Sequence, residues 1–204
     1  MHLEIFSENQ KELLPALAQF SRSFYLVGGT AIALQIGHRQ SIDFDLFSFS
    51  RLNKSRIKNK ISKIPFKKIL LSEDVDQIHL NINGIKVTFF NYPYKIEHPI
   101  KIENRLSMPN LLTLASMKAF TLGRRAKWKD YVDLYFFIRD HFSINEISQN
   151  TSAIFGQLFS ERLFREQLVY HADIDYSEEV VYMSGFEKDE SAIKNFLIDK
   201  ALEW

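Results

Sequence analysis

The sequence predicts an α+β fold, a small mixed sheet with flanking helices followed by a helical region. Three observations carry this. An apolar run, Phe24-Tyr25-Leu26-Val27, stops at Gly28-Gly29. Asn83-Gly84 separates two strand-like segments, and Asn-Gly supplies the positive φ pair of a type I′ hairpin turn. After Pro109 the apolar period lengthens from about 2 to about 3.6 and stays there. The change near residues 100–109 divides the chain into a core at 1–104 and a helical region at 105–204.

In chain order, residues 8–21 read as an amphipathic helix through Leu13, Leu14, Leu17 and Phe20. Residues 24–27 are a strand, and Thr30 to Gln35 suits a short helix stopped by Gly37. Ser41 to Phe47 alternates as a strand that turns Asp43 and Asp45 one way and Phe44 and Leu46 the other. Leu52 to Ile64 is a basic helix with Ile57, Ile61 and Ile64 inward. Strands follow at 66–72, 78–82 and 85–90, and Pro93, Pro99 and Pro109 break up the next stretch. Helices are expected at 111–122, 128–141, 143–155, 159–171 and 189–202.

Composition narrows the chemistry. The 204 residues suffice for a core without staples, and 18 phenylalanines predict an aromatic one. Cysteine is absent, which excludes disulfides and thiolate metal sites and fits a reducing cytosol. The N-terminus shows no basic segment followed by an apolar one, and no apolar run approaches the roughly 18 residues of a membrane span. A cytoplasmic protein without a membrane partner is expected. The net charge of +1 conceals a polarised chain. Arg51 to Lys68 holds eight basic residues and no acid, and Lys118 to Lys129 five more without an acid. The tail from Asp173 to Glu203 has nine acids against three lysines.

The chemistry concentrates between residues 26 and 47. Gly28 and Gly29 lack Cβ atoms, so their N–H groups can approach an anion at the start of the following helix, and Thr30 adds a hydroxyl donor. A plain strand-to-helix turn would use the same residues. Asp43 and Asp45 bring like charges together on an otherwise apolar strand, which a Mg²⁺ ion between them would offset. A solvated acidic edge would look similar. Arg39 suits either a phosphate or a nearby carboxylate, and His38 a structural hydrogen bond.

Taken together, Gly-Gly-Thr, twelve residues and Asp-x-Asp resemble the signature of the polymerase-β-like nucleotidyltransferase superfamily. The stretch GGTAIALQIGHRQSIDFDLF is similar to the form found in the AbiEii/AbiGii toxin family of nucleotidyltransferases, and LLTLASMKAFTLGRRAKWKDYVDLYFF resembles that family's second hallmark. The likeness covers residues 24–47 closely and 105–140 well.

The resemblance implies a polymerase-β-like core and a helical region that closes the nucleotide site. Gly28, Gly29 and Thr30 would hold the phosphates of a nucleoside triphosphate, with Arg39, Lys118 and Arg124 as further phosphate ligands. Asp43 and Asp45 would bind Mg²⁺ and, with Lys118 and Asp130, carry catalysis. Asp130 would position substrate or Lys118, and Asp133 would be structural. RNA or tRNA is the implied acceptor and a cognate antitoxin the implied genetic partner, without direct contact. The basic helix at 51–68 and Lys127-Trp128-Lys129 are candidate RNA contacts.

One departure stands out. The superfamily's third carboxylate should fall in Ile85 to Phe90, where Thr88 stands instead. Three readings follow: a two-carboxylate site with Glu97 or Asp130 supplying the base, activation left to substrate phosphate or water, or a nucleotide-binding module with little turnover. Transfer to protein or small-molecule hydroxyls is the remaining enzymatic alternative.

Overall fold

Asn83 and Gly84 have φ values of 56° and 81°, the left-handed pair that a two-residue type I′ turn needs. They join β4 (Gln77–Ile82) to β5 (Ile85–Asn91), and the register runs outward from Ile82 opposite Ile85 to His79 opposite Thr88. The computed structural model describes residues 1–103, 105–122 and 124–203. Asn104 and Trp204, which close the two expected segments, lie outside the described residues. The chain forms two units, Met1–Asn110 and Leu111–Trp204.

In the first unit, β1 (Tyr25–Val27), β2 (Phe44–Ser48) and β3 (Lys68–Glu73) complete a five-stranded sheet of order β1-β2-β5-β4-β3. The pair β2–β5 is parallel and the other pairs are antiparallel, so the sheet is mixed as expected. Alternation gives it two faces. Phe44, Leu46, Val87, Phe89, Ile78, Leu80 and Ile82 lie buried on one face, where Phe89 meets Phe20 at 4.8 Å and Phe24 at 5.1 Å between ring centroids. The other face carries the row Asp45, Thr88, His79 on adjacent strands.

Three helices flank the sheet. Helix α1 (Glu8–Leu17) opens with a capping box, Ser7 with Gln10, and buries Leu13, Leu14 and Leu17. Helix α2 (Gly28–Ile36) ends at Gly37, whose φ of 78° gives the left-handed C-cap. Helix α3 (Lys54–Ser62) buries Ile57 and Ile61.

Two boundary shifts bear on the glycine turn and the aspartate strand, and one hairpin was not foreseen. Helix α2 begins at Gly28, so the glycine pair is its first turn and not a stop before Thr30. Strand β2 begins at Phe44 instead of Ser41, because Ser41 is held by side chains from α1 and α2. Strands β6 (Ile100–Ile102) and β7 (Leu106–Met108) pair as a small hairpin. At three residues each, between Pro99 and Pro109, they are too short for periodicity to reveal.

The second unit is helical: α4 (Leu111–Leu122), α5 (Trp128–Asp140), α6 (Ile144–Phe155), α7 (Glu161–Val169) and α8 (Glu190–Leu202). Phe120 and Phe155 stack face to face at 3.9 Å. Arg165, 4 % exposed, donates to the Ala201 and Glu203 carbonyls at 3.1 and 2.7 Å, closing the end of α8. Among the described residues, no helix is long and apolar enough to cross a membrane.

Candidate active site

The site in the first unit starts from Gly28. Its φ is 71°, and a Cβ built there would stand 2.5 Å from Asp45 Oδ2. Val27, opposite Asp45 in the β1–β2 register, leads directly into this turn. The absence of a side chain therefore lets the start of α2 come against the carboxylate. The N-cap Val27 offers no side-chain acceptor, so the first N–H groups of α2 are not capped by it. Gly29 is equally close-fitting. A Cβ there would meet Arg39 Nη2 at 2.7 Å and Ser41 Oγ at 2.9 Å.

The loop that delivers Asp43 is pinned from two sides. Gln10, 1 % exposed, donates from Nε2 to the Ser41 carbonyl at 2.8 Å. Thr30, also 1 % exposed, donates to the Asp43 carbonyl, and its Oγ1 lies 3.0 Å from Ser41 Oγ. The Thr30 hydroxyl thus faces the loop, a placement that differs from the phosphate ligand the resemblance implies. Arg39 is 1 % exposed and donates from Nη1 to the Gln40 carbonyl at 3.0 Å. His38 is fully buried. Asp43 and Asp45 themselves are half-buried, Asp43 just ahead of β2 and Asp45 within it.

This geometry suits a divalent cation held by oxygen ligands. Two carboxylates two residues apart stay accessible, and the glycine turn leaves room beside Asp45. Among the described residues, no group of three or more histidines and carboxylates forms a metal cluster. A third protein carboxylate is accordingly not added by the neighbouring strand. Thr88 stands opposite Asp45, buried, with its hydroxyl 3.1 Å from His79 Nδ1.

Sequence reasoning missed His79, yet a signal was present. A two-residue turn at 83–84 fixes Ile82 opposite Ile85, and counting outward sets His79 opposite Thr88. Glu97, one candidate for the missing base, is exposed in the segment ahead of β6. Asp130, the other, is 1 % exposed and belongs to an ion cluster in the second unit.

In that cluster Lys118 Nζ lies 2.7 Å from Asp130 Oδ1 and 2.9 Å from Asp133 Oδ2, and Arg125 Nε lies 2.9 Å from Asp130 Oδ2. All three of Lys118, Asp130 and Asp133 are buried. Burial alone would raise the Asp130 pKa. The charges of Lys118 and then Arg125 outweigh it and hold the carboxyl below the usual range. Arg124 instead lies over the Phe120 ring at 4.2 Å. Lys127 and Lys129 both pair with Glu178, the latter at 3.0 Å. Lys118, Arg125, Lys127 and Lys129 of the second basic run are thus paired with acids of their own unit. The acidic tail supplies part of that pairing.

Gly28→Ala tests the turn. With φ of 71° and no room for a methyl group, the variant should lose about 1–3 kcal/mol of stability by urea unfolding and displace Asp45. Gly84→Ala has a similar φ of 81° but its nearest contact is 3.6 Å away, so it should show the backbone cost with the site undisturbed.

Known proteins resemble this chain in sequence and in fold. Residues 12–106 match the model of the family described as nucleotidyl transferase AbiEii toxin, type IV TA system. An uncharacterized protein of Aquifex aeolicus (strain VF5) is 33 % identical over 143 residues, covering 66 % of this chain and 68 % of that protein. Among solved structures, MenT4, a nucleotidyltransferase toxin from Mycobacterium tuberculosis H37Rv, superimposes with a TM-score of 0.64 at 14 % identity, covering 95 % of this chain and 80 % of that one. A candidate nucleotidyltransferase from H. pylori gives a TM-score of 0.58 at 16 % identity, covering 96 % and 94 %. These two likenesses show the fold.

Proposed function

Because the chain belongs to the AbiEii family of nucleotidyl transferase toxins, we propose that it moves a nucleotide from a nucleoside triphosphate to an RNA hydroxyl in a Mg²⁺-dependent reaction. The observation that carries this reading is the contact of the Gly28 turn with the Asp45 carboxylate. A helix start suits an anion and a carboxylate suits a cation, so their contact supports a site for a metal-bound triphosphate.

Asp43 and Asp45 would hold the metal, which when bound neutralises phosphate charge and orients the in-line displacement. The first N–H groups of α2 receive the phosphates. Thr30 and Gln10 fix the loop bearing Asp43. Within the second unit, Asp130 positions Lys118. The acceptor oxygen forms a bond to the α-phosphorus, the bond to pyrophosphate breaks, and the hydroxyl proton passes to a base.

For that base we assign His79. Strands lie about 4.8 Å apart, so His79 starts roughly 10 Å from Asp45 across the sheet. Its ring leans toward Thr88, the position next to Asp45. His79→Ala should lower transfer by about 10²–10⁴-fold without changing triphosphate affinity, and added imidazole should restore part of the rate. Thr88→Val removes only the hydroxyl that orients the ring and should give a smaller loss. Equal rates for wild type and His79→Ala would remove the assignment.

Incubating the protein with Mg²⁺, total RNA and each of the four α-labelled triphosphates tests the function itself. Label in RNA is expected. Label in the protein fraction would redirect the reading to protein hydroxyls, and triphosphate binding without transfer would make the chain a nucleotide sensor.

A further inference from the structure

Helix α3 sorts its cations onto two faces. Lys54 and Lys58 reach Glu73 on β3, at 3.5 and 2.6 Å. Arg56 and Lys60, four residues apart and so on one face, line a cavity of about 640 Å³ instead. Arg22, Arg51, Lys95 and His98 line it too, and none of the described lining residues is acidic. Glu97, the chain neighbour of His98, is not part of the lining. The cavity also contains Tyr25 and Ser48, so it lies at the opposite end of the β1–β2 pair from the Gly28 turn.

Cations gathered without a counter-ion repel one another, and a cleft lined by one sign of charge concentrates the opposite sign. Lys60 registers this locally. Burial and then the charges of Arg56 and Arg22 hold its pKa below the usual lysine value, although Nζ donates to the Gln19 carbonyl. Two features beyond charge point to a ligand. Tyr25 is 4 % exposed, stacks on the His98 ring at 4.6 Å, and has a buried hydroxyl with no hydrogen-bond partner among the described residues. Phe49 lines the same cavity yet is 59 % exposed, an aromatic surface beside the cations. A cationic groove with an accessible ring is the combination that retains single-stranded nucleic acid.

We infer that this cavity holds two neighbouring backbone phosphates of the acceptor RNA, with Phe49 stacking on an adjacent unpaired base. The inference rests on the RNA-acceptor reading and adds the surface on which the RNA is held. Arg51 and Arg56 provide the cations least tied to the fold, both being exposed at the cavity.

Fluorescence anisotropy of a labelled single-stranded 12-nucleotide RNA, in EDTA and without triphosphate, tests it apart from transfer. Arg51→Gln/Arg56→Gln should raise the Kd at least tenfold and reduce the slope of log K against log salt by about 1.4, for two phosphate contacts on a single strand. Lys63→Gln/Lys67→Gln makes the same charge change outside the cavity and should shift the Kd less than twofold. Phe49→Ser should weaken RNA binding while leaving binding of an equally charged poly-glutamate peptide unchanged. Equal losses from the two double variants would overturn the inference, as would poly-glutamate binding as tightly as RNA. If wild type labels RNA but Arg51→Gln/Arg56→Gln binds it normally, the cavity falls and the transfer reading stands. If the cavity variants lose RNA binding but no RNA is labelled by wild type, the transfer reading falls instead.

Discussion

Asp43→Asn and Asp45→Asn are each expected to reduce nucleotidyl transfer by about 10³-fold or more while leaving the thermal midpoint nearly unchanged. The two halves of this expectation have separate grounds. Both carboxylates are half-buried, and the apolar core lies on the opposite face of β2, through Phe44 and Leu46. The loop around Asp43 is held by Gln10 and Thr30 through the Ser41 and Asp43 carbonyls, which asparagine retains. An amide keeps the shape of the side chain but contributes no negative charge to a cation, so the loss falls on metal-dependent chemistry. Single-turnover transfer at saturating triphosphate, with calorimetry of both variants, is the appropriate measurement. Full Mg²⁺-dependent transfer by Asp43→Asn would remove the metal assignment.

Lys118→Met is expected to act first on stability, by about 3–5 kcal/mol in urea unfolding of the full chain. Its ammonium group lies between Asp130 and Asp133, all three buried, and the substitution leaves those carboxylates without their nearest buried cation. Loss of transfer in this variant therefore has to be measured at temperatures where it remains folded. The cluster also predicts a pH dependence. Asp130 has a folded pKa below its unfolded value of about 3.9, so its contribution is present above that value and is lost as pH falls through the folded pKa. Wild type should lose stability on the acid side of about pH 4, and Asp130→Asn should show a shallower acid limb. An unchanged acid limb would mean that the pairing contributes nothing net.

The elements were legible wherever a local signal marked them. Gly37 stops α2 and Asn83-Gly84 turns β4 into β5, each through its own backbone conformation. The glycine turn and the aspartate pair were legible for the same reason, since their spacing along the chain brings Gly28 against Asp45 across one strand pair. What stayed hidden depends on distant partners. The start of β2 is decided by Gln10, and the fate of Lys127 by Glu178, 51 residues later. Glu73 removes Lys54 and Lys58 from a run of basic residues that looked uniform in sequence. Charge runs describe composition, whereas accessible charge depends on which acids fold back onto them.

The turn at Asn83-Gly84 has a genetic consequence. Surface turns usually absorb inserted residues with little effect. Here one added residue that slipped the pairing by a single step would bring Leu80 or Ile78 opposite Thr88 in place of His79. The apolar and polar faces of β4 would exchange in the same step. The chain should therefore accept many single substitutions in this hairpin yet tolerate almost no change in its length.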